Sequence, residues 1–142
     1  MRKNLWFRYL FIIIFLSILI FLKEYIVRKI QLDYYRNFEM NFLHYIFIPL
    51  IFNVLIGILL GMDHFMNEIK KEGSWHINLP KIVLLGIPSL LFSLMFLFGY
   101  IGLTFANRLL SQISSLEGNY IAVFQMIFGF TCITCLYKEN KR

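Results

Sequence analysis

The sequence predicts an all-α integral membrane protein, a four-transmembrane-helix bundle with its N-terminus and C-terminus both cytoplasmic. Three observations lead there. Of 142 residues, 59% are hydrophobic and only 15% charged, where an ordinary soluble domain carries roughly 25% charged residues. The deficit is patterned, with long uncharged runs separated by short charged clusters, as in a polytopic membrane protein. The runs are near the ~20 residues a helix needs to cross hydrocarbon, and they lack the polar–apolar alternation of barrel strands. The expected spans are about 5–22, 42–62, 82–103 and 120–137, and the whole chain, 1–142, reads as a single polytopic domain.

The first span, "LWFRYLFIIIFLSILIFL", follows a basic start, as a signal peptide would. No small-residue cleavage site comes after it, and the chain runs directly into "KEYIVRK", so an uncleaved first membrane helix is expected. In the segment after it, Ile26, Ile30, Tyr34 and Phe38 recur at every fourth position on one helical face. That pattern fits either an extension of the first helix or a helix lying in the interface.

The second span contains "PLIFNVLIGILLG", in which Pro49, Asn53, Gly57 and Gly61 fall at every fourth position. At 3.6 residues per turn these four share one face. Gly57 and Gly61 form a GxxxG pair that lets another backbone approach. Pro49 frees the Tyr45 carbonyl and favours a kink. An unpaired amide at Asn53 would cost roughly 1–3 kcal/mol or more in hydrocarbon. The line is therefore expected to be a packed face. Beyond it the helix should run on to Lys71 or Glu72 and stop at Gly73 as a left-handed cap. "SWHIN" reads as a short extended or interfacial piece, with Trp75 as an interface anchor. Asn78 is placed to cap the third helix and Pro80 to sit in its first turn.

The third span carries Gly86, Ser89 and Ser93 as a small and polar stripe, with Tyr100 continuing it and Pro88 beside it. In the loop after it, Leu109, Ile113 and Leu116 share one side of a short helix that should end at Gly118, leaving Asn119 to cap the fourth span. That span carries Ala122, Gln125, Gly129 and Cys132 at spacings of three, four and three. Such stripes suit left-handed bundle packing. The expected intramembrane packing face is thus Pro49, Asn53, Gly57, Gly61, Gly86, Ser89, Ser93, Gln125 and Gly129, with Asn53, Ser89, Ser93 and Gln125 as its polar centre. The first span, interrupted only by Arg8 and Ser17, should be the most lipid-exposed.

Orientation follows from basic residues. Nine lysines and arginines fall in the N-terminal segment, the loop between spans two and three, and the C-terminal tail, and five fall in the other two loops. The richer side is expected to be cytoplasmic. The net charge of +6 is then a matter of topology and anionic headgroups. No basic stripe with interleaved aromatics marks a nucleic-acid site.

No catalytic set emerges. Cys132 and Cys135 form a CxxC, a spacing also found in four-helix membrane thiol oxidoreductases, the quinone-linked disulfide-forming enzymes and the vitamin K epoxide reductase group. Those families use a second cysteine pair, whereas this chain has two cysteines in all, so structural thiols are expected. Among Asp63, His64, Glu68 and His76, the i, i+4 pair His64 and Glu68 could share a metal, but there is no HExxH and no paired-histidine spacing, so a solvated loop is expected. All eight acidic residues lie outside the spans, which departs from the intramembrane carboxylate of the similarly sized proton-driven small multidrug exporters. In its abundant Ile, Phe, Lys and Asn the chain resembles small four-span membrane proteins of AT-rich bacteria. The expectation is a non-enzymatic accessory or interaction subunit of a bacterial cytoplasmic membrane, without cofactor or metal. Its partners would be the bilayer and a membrane protein or a second copy of itself. A transporter or channel component is the alternative, and a membrane thiol oxidoreductase using Cys132 and Cys135 is a third reading.

Overall fold

The computed structural model describes residues 3–37, 42–114 and 120–139. Among these residues the fold is helical apart from one small two-stranded sheet. Among the described residues, two helices are apolar and long enough to cross a membrane. The chain divides into two compact units, Met1–Phe52 and Asn53–Arg142.

The first unit holds α1 (Lys3–Asn37) and the start of α2 (Phe42–Ile69). At 35 residues α1 is about 52 Å long. The amphipathic segment after the first apolar run is therefore a continuation of the helix; Phe38, the last residue of its expected face, lies outside the described residues. No residue in the most apolar stretch of α1 is buried. Ser17 returns its hydroxyl proton to the Ile13 carbonyl at 2.9 Å, so its one polar group is satisfied within the helix. Helix α2 passes through Pro49 without ending.

The second unit is built on the rest of α2 and on α7 (Tyr120–Thr134). Between them lie β1 (Ser74–Ile77), α3 (Leu79–Lys81), a π-helical segment (Ile82–Gly86), α4 (Ile87–Ser93), α5 (Met95–Tyr100) and α6 (Thr104–Ser114). The chain closes with β2 (Leu136–Glu139), antiparallel to β1 in the register Ser74↔Glu139 to Ile77↔Leu136. Helix α7 packs against α4 and the π segment, and α5 packs against α6.

Several boundaries differ from the sequence reading, each for a local reason. Helix α2 stops at Ile69, and Gly73, at φ 139°, belongs to the turn that follows. The third apolar run is not one regular helix. Asn78 caps its start, accepting the Lys81 N–H at 3.1 Å, and Pro80 sits in the first turn. The helix then widens just before Pro88, with the Ile87 N–H reaching back to the Ile82 carbonyl. A proline has no N–H for the carbonyl four residues earlier and its ring crowds that carbonyl, so a widened turn relieves both problems. A second break falls at Leu94 (φ −92°, ψ 6°). Ser93 and Ser89 precede it, and each donates its hydroxyl to a carbonyl of the preceding turn, a habit that bends helices.

The run ends at Tyr100, not Leu103. Gly102, at φ 89°, closes it with paired bonds from Gly102 N to Gly99 O and from Leu103 N to Phe98 O. This is the Schellman pattern. Helix α7 likewise stops short of its expected end, at Thr134; Cys135 turns, and Leu136 and Tyr137 belong to β2. The expected stop at Gly118, the cap at Asn119 and the contribution of Leu116 lie outside the described residues.

Candidate functional site

The buried centre of the second unit is polar. Its most completely buried side chains are Asn53, Thr131, Ser89 and Ser93. They come from three helices. Asn53 on α2 donates from Nδ2 to Gln125 Oε1 on α7 at 2.6 Å. Gln125 Nε2 donates to the Ser93 carbonyl at 3.4 Å. Ser93 lies just before the break at Leu94, where helix carbonyls lose their regular donors, so Gln125 supplies a bond that the break removes. Ser93 Oγ donates to the Ser89 carbonyl at 2.6 Å, and Ser89 Oγ reaches the Leu85 and Gly86 carbonyls at 2.5 and 3.0 Å.

Glycines set how closely these helices approach. A Cβ on Gly57 would stand 2.0 Å from the Met126 carbonyl oxygen, and one on Gly129 would stand 2.1 Å from the Val54 carbonyl oxygen. Each helix thus presses its backbone into a glycine of the other. Gly61 sits over side chains, with Ile133 Cγ2 2.3 Å from its missing Cβ. Gly86 is looser, with Ile82 and Thr131 methyls at 3.6 Å. Of the nine residues of the expected face, eight lie in this unit. Pro49 lies in the other, in the first half of α2.

Aromatic and hydroxyl contacts complete the packing. Phe92 of α4 stacks on Phe124 of α7 with centroids 4.5 Å apart. Thr131 and Thr134 donate to the Ile127 and Phe130 carbonyls at 2.8 and 2.7 Å. In hydrocarbon, such internal bonds are how a hydroxyl avoids an unpaired donor.

A second cluster joins the end of α2 to the sheet. Glu68 is buried. Its Oε2 accepts the Lys138 backbone N–H at 3.0 Å, and its Oε1 takes Lys71 Nζ at 2.5 Å. Lys138 Nζ donates to the Ile69 and Lys71 carbonyls at 2.9 and 2.8 Å, and lies 5.0 Å from the centre of the Trp75 ring. Trp75 in turn stacks on Phe65. The Lys138 N–H, then the Lys71 ammonium, hold the Glu68 carboxyl below its ordinary pKa, with His64 adding a smaller attraction. Lys81 similarly closes the end of α7, donating to the Thr134 carbonyl at 3.2 Å and lying 5.4 Å from the Phe130 ring centre.

The sequence reading weighed Glu68 only as a metal ligand beside Asp63, His64 and His76. Among the described residues no three histidine, cysteine, aspartate or glutamate side chains gather to hold a metal. The signal for the clasp was faint: Glu68 is one of three acidic residues in a mixed-charge stretch with Lys70 and Lys71, and its partner lies 70 positions away. His76 instead meets Ser74 Oγ at 2.8 Å and Glu139 at 3.8 Å. Cys132 is exposed and Cys135 buried, both as free thiols, and Cys135 Sγ donates to the Cys132 carbonyl at 3.2 Å.

Among protein-family models, curated proteins and solved structures, none matches this chain.

Proposed function

We propose that this chain is a multi-pass protein of a bacterial cytoplasmic membrane. Its four apolar runs would pack as a bundle with both termini inside, and it would act without catalysis as an accessory or interaction subunit through its helix faces. One observation carries the reading: the most completely buried side chains of the second unit are polar, while many of its large apolar side chains face outward. Asn53, Ser89, Ser93, Thr131 and Gln125 are buried, while Val83, Leu84, Ile87, Leu91 and Val123 are exposed. Water would penalise that arrangement. Hydrocarbon favours it, because polar groups must then find partners within the protein while apolar side chains lose nothing outside. Helix α7 reaches about 22 Å, a mismatch that local thinning of the bilayer accommodates.

The interaction role follows from the division of labour between faces. The glycine and amide face is consumed in closing the chain on itself, which leaves the outward faces of α4 and α7 for lipid or for another membrane protein. Purification in mild detergent, with mass spectrometry of whatever accompanies the chain, tests it. A stoichiometric membrane partner or a second copy is expected. A monomer that cross-links to nothing in its native membrane would count against the interaction role.

A second reading, a transporter or channel component, is favoured by the amides at the polar centre. Solute flux into liposomes that is lost in Asn53→Leu would support it.

A further inference from the structure

The bonds of the polar centre have only one consistent direction. The Ser93 carbonyl can only accept, so Gln125 must turn Nε2 toward it. That leaves Gln125 Oε1 facing Asn53, and Asn53 must answer with Nδ2. Reversing Asn53 alone would set two amide oxygens against each other at 2.6 Å. Reversing both amides would set Gln125 Oε1 against the Ser93 carbonyl. The break at Leu94 therefore dictates, through Gln125, which atom of Asn53 is left over.

That atom is Oδ1. Asn53 is only 2% exposed, and its Oδ1 is a buried acceptor without a hydrogen-bond partner among the described residues. Leaving such a group unpaired is costly, the more so where the surroundings are apolar. The serine hydroxyls cannot relieve it, because Ser93 and Ser89 each give their single proton to a backbone carbonyl. The groups bonded in this centre, Asn53, Gln125, Ser89 and Ser93, are all neutral.

We propose that Asn53 Oδ1 is a binding site for a neutral hydrogen-bond donor, and that a single internal water is its resident occupant. Such a water completes the chain Ser93–Gln125–Asn53 and makes the α2–α4–α7 contact a hydrated centre. The inference rests on the direction of the amide bonds, not on the membrane reading, and it holds in either solvent.

The test uses the full chain in lipid nanodiscs with its asparagines labelled with ¹⁵N, read by water-selective NOE and ROE spectra. The Asn53 side-chain amide is identified by its NOE to Gln125 and by its loss in Asn53→Gln. If that variant fails to fold, the NOE identifies it alone. Water cross-peaks of opposite sign in the two spectra, the mark of a water held on the protein, are expected at Asn53. No water cross-peak at a resolved Asn53 signal would overturn the proposal. So would peaks of pure exchange type like those of the exposed Asn107, which would mean open solvent and not one bound molecule.

Discussion

Asn53 Nδ2 donates to Gln125 Oε1 at 2.6 Å, tying α2 to α7 across 72 positions of sequence. The bond is buried at both ends, so neither partner can be removed without stranding the other. Asn53→Leu should destabilise the fold by roughly 1–3 kcal/mol, and Gln125→Leu by a similar amount. The double variant should cost less than the sum, with a coupling of roughly 0.6 kcal/mol and at most about 1.7, the mean and the maximum found for hydrogen bonds between membrane helices. Reversible unfolding in mixed micelles measures all three. Strict additivity would mean that the two amides do not depend on each other.

The glycines provide an internal comparison. Gly57→Ala and Gly129→Ala each put a methyl group into a facing carbonyl, and overpacking of that kind costs about 1–3 kcal/mol. Gly86→Ala meets only methyls at ordinary contact distance and gains helix propensity, so it should be neutral or stabilising by up to about 1 kcal/mol. Thermal denaturation of the three variants in one detergent ranks them. Equal losses at all three would show that the distinction between backbone and side-chain neighbours is wrong.

At Gly102 the strain is conformational. An added Cβ meets nothing, yet φ is 89°, where an L-residue is disfavoured by roughly 1–2 kcal/mol. Gly102→Ala should therefore lose stability despite the open space, and Gly102→Asn should lose less. The same unfolding assay separates them.

Acid should open the clasp between α2 and the sheet. Glu68 lies six residues beyond the last residue of the expected second span. Its folded pKa is lowered by the Lys138 N–H and the Lys71 ammonium. A carboxyl with a depressed folded pKa contributes stability above its unfolded pKa, about 4.3 for glutamate, and that contribution is lost as pH falls through the folded value. Trp75, stacked on Phe65 and under Lys138, reports it. In a Trp6→Phe background, Trp75 emission should change below about pH 4.3 and should lose that transition in Glu68→Gln. An unchanged acid transition in Glu68→Gln would place the titrating group elsewhere.

The helical class and the two long apolar helices were legible from hydrophobic run length, which is what the composition encodes most strongly. The cap at Asn78 and the place of Pro80 in the first turn were legible because capping and proline chemistry are local, whereas the widened turn before Pro88 was not read from the sequence. The stops at Tyr100 and Thr134 were hidden by hydropathy, which continues past both. "YIGLT" carries a glycine that ends α5, but in an apolar run one glycine reads equally well as a packing residue. The β1–β2 pairing joins residues 60 or so positions apart, and four-residue strands have too few positions to show a period. Within the site, spacing grouped Asn53, Gly57 and Gly61 on one face, but it held no information on which residue opposes which. That Gly57 faces Met126, and that the Leu94 break hands its carbonyl to Gln125, depends on the crossing of helices distant in sequence.

What surrounds the second unit, lipid or water, decides whether its exposed apolar faces belong to a membrane bundle. Spin labels at Leu84, Leu91 and Val123, all exposed on α4, the π segment or α7, are placed one at a time in a chain whose Cys132 and Cys135 are replaced by alanine. Their relaxation by dissolved oxygen and by a water-soluble nickel chelate reports directly on lipid or water. A membrane bundle predicts high oxygen and low nickel accessibility at all three. High nickel accessibility at these positions in the reconstituted, folded protein would mean that water covers the apolar exterior, and would contradict the account.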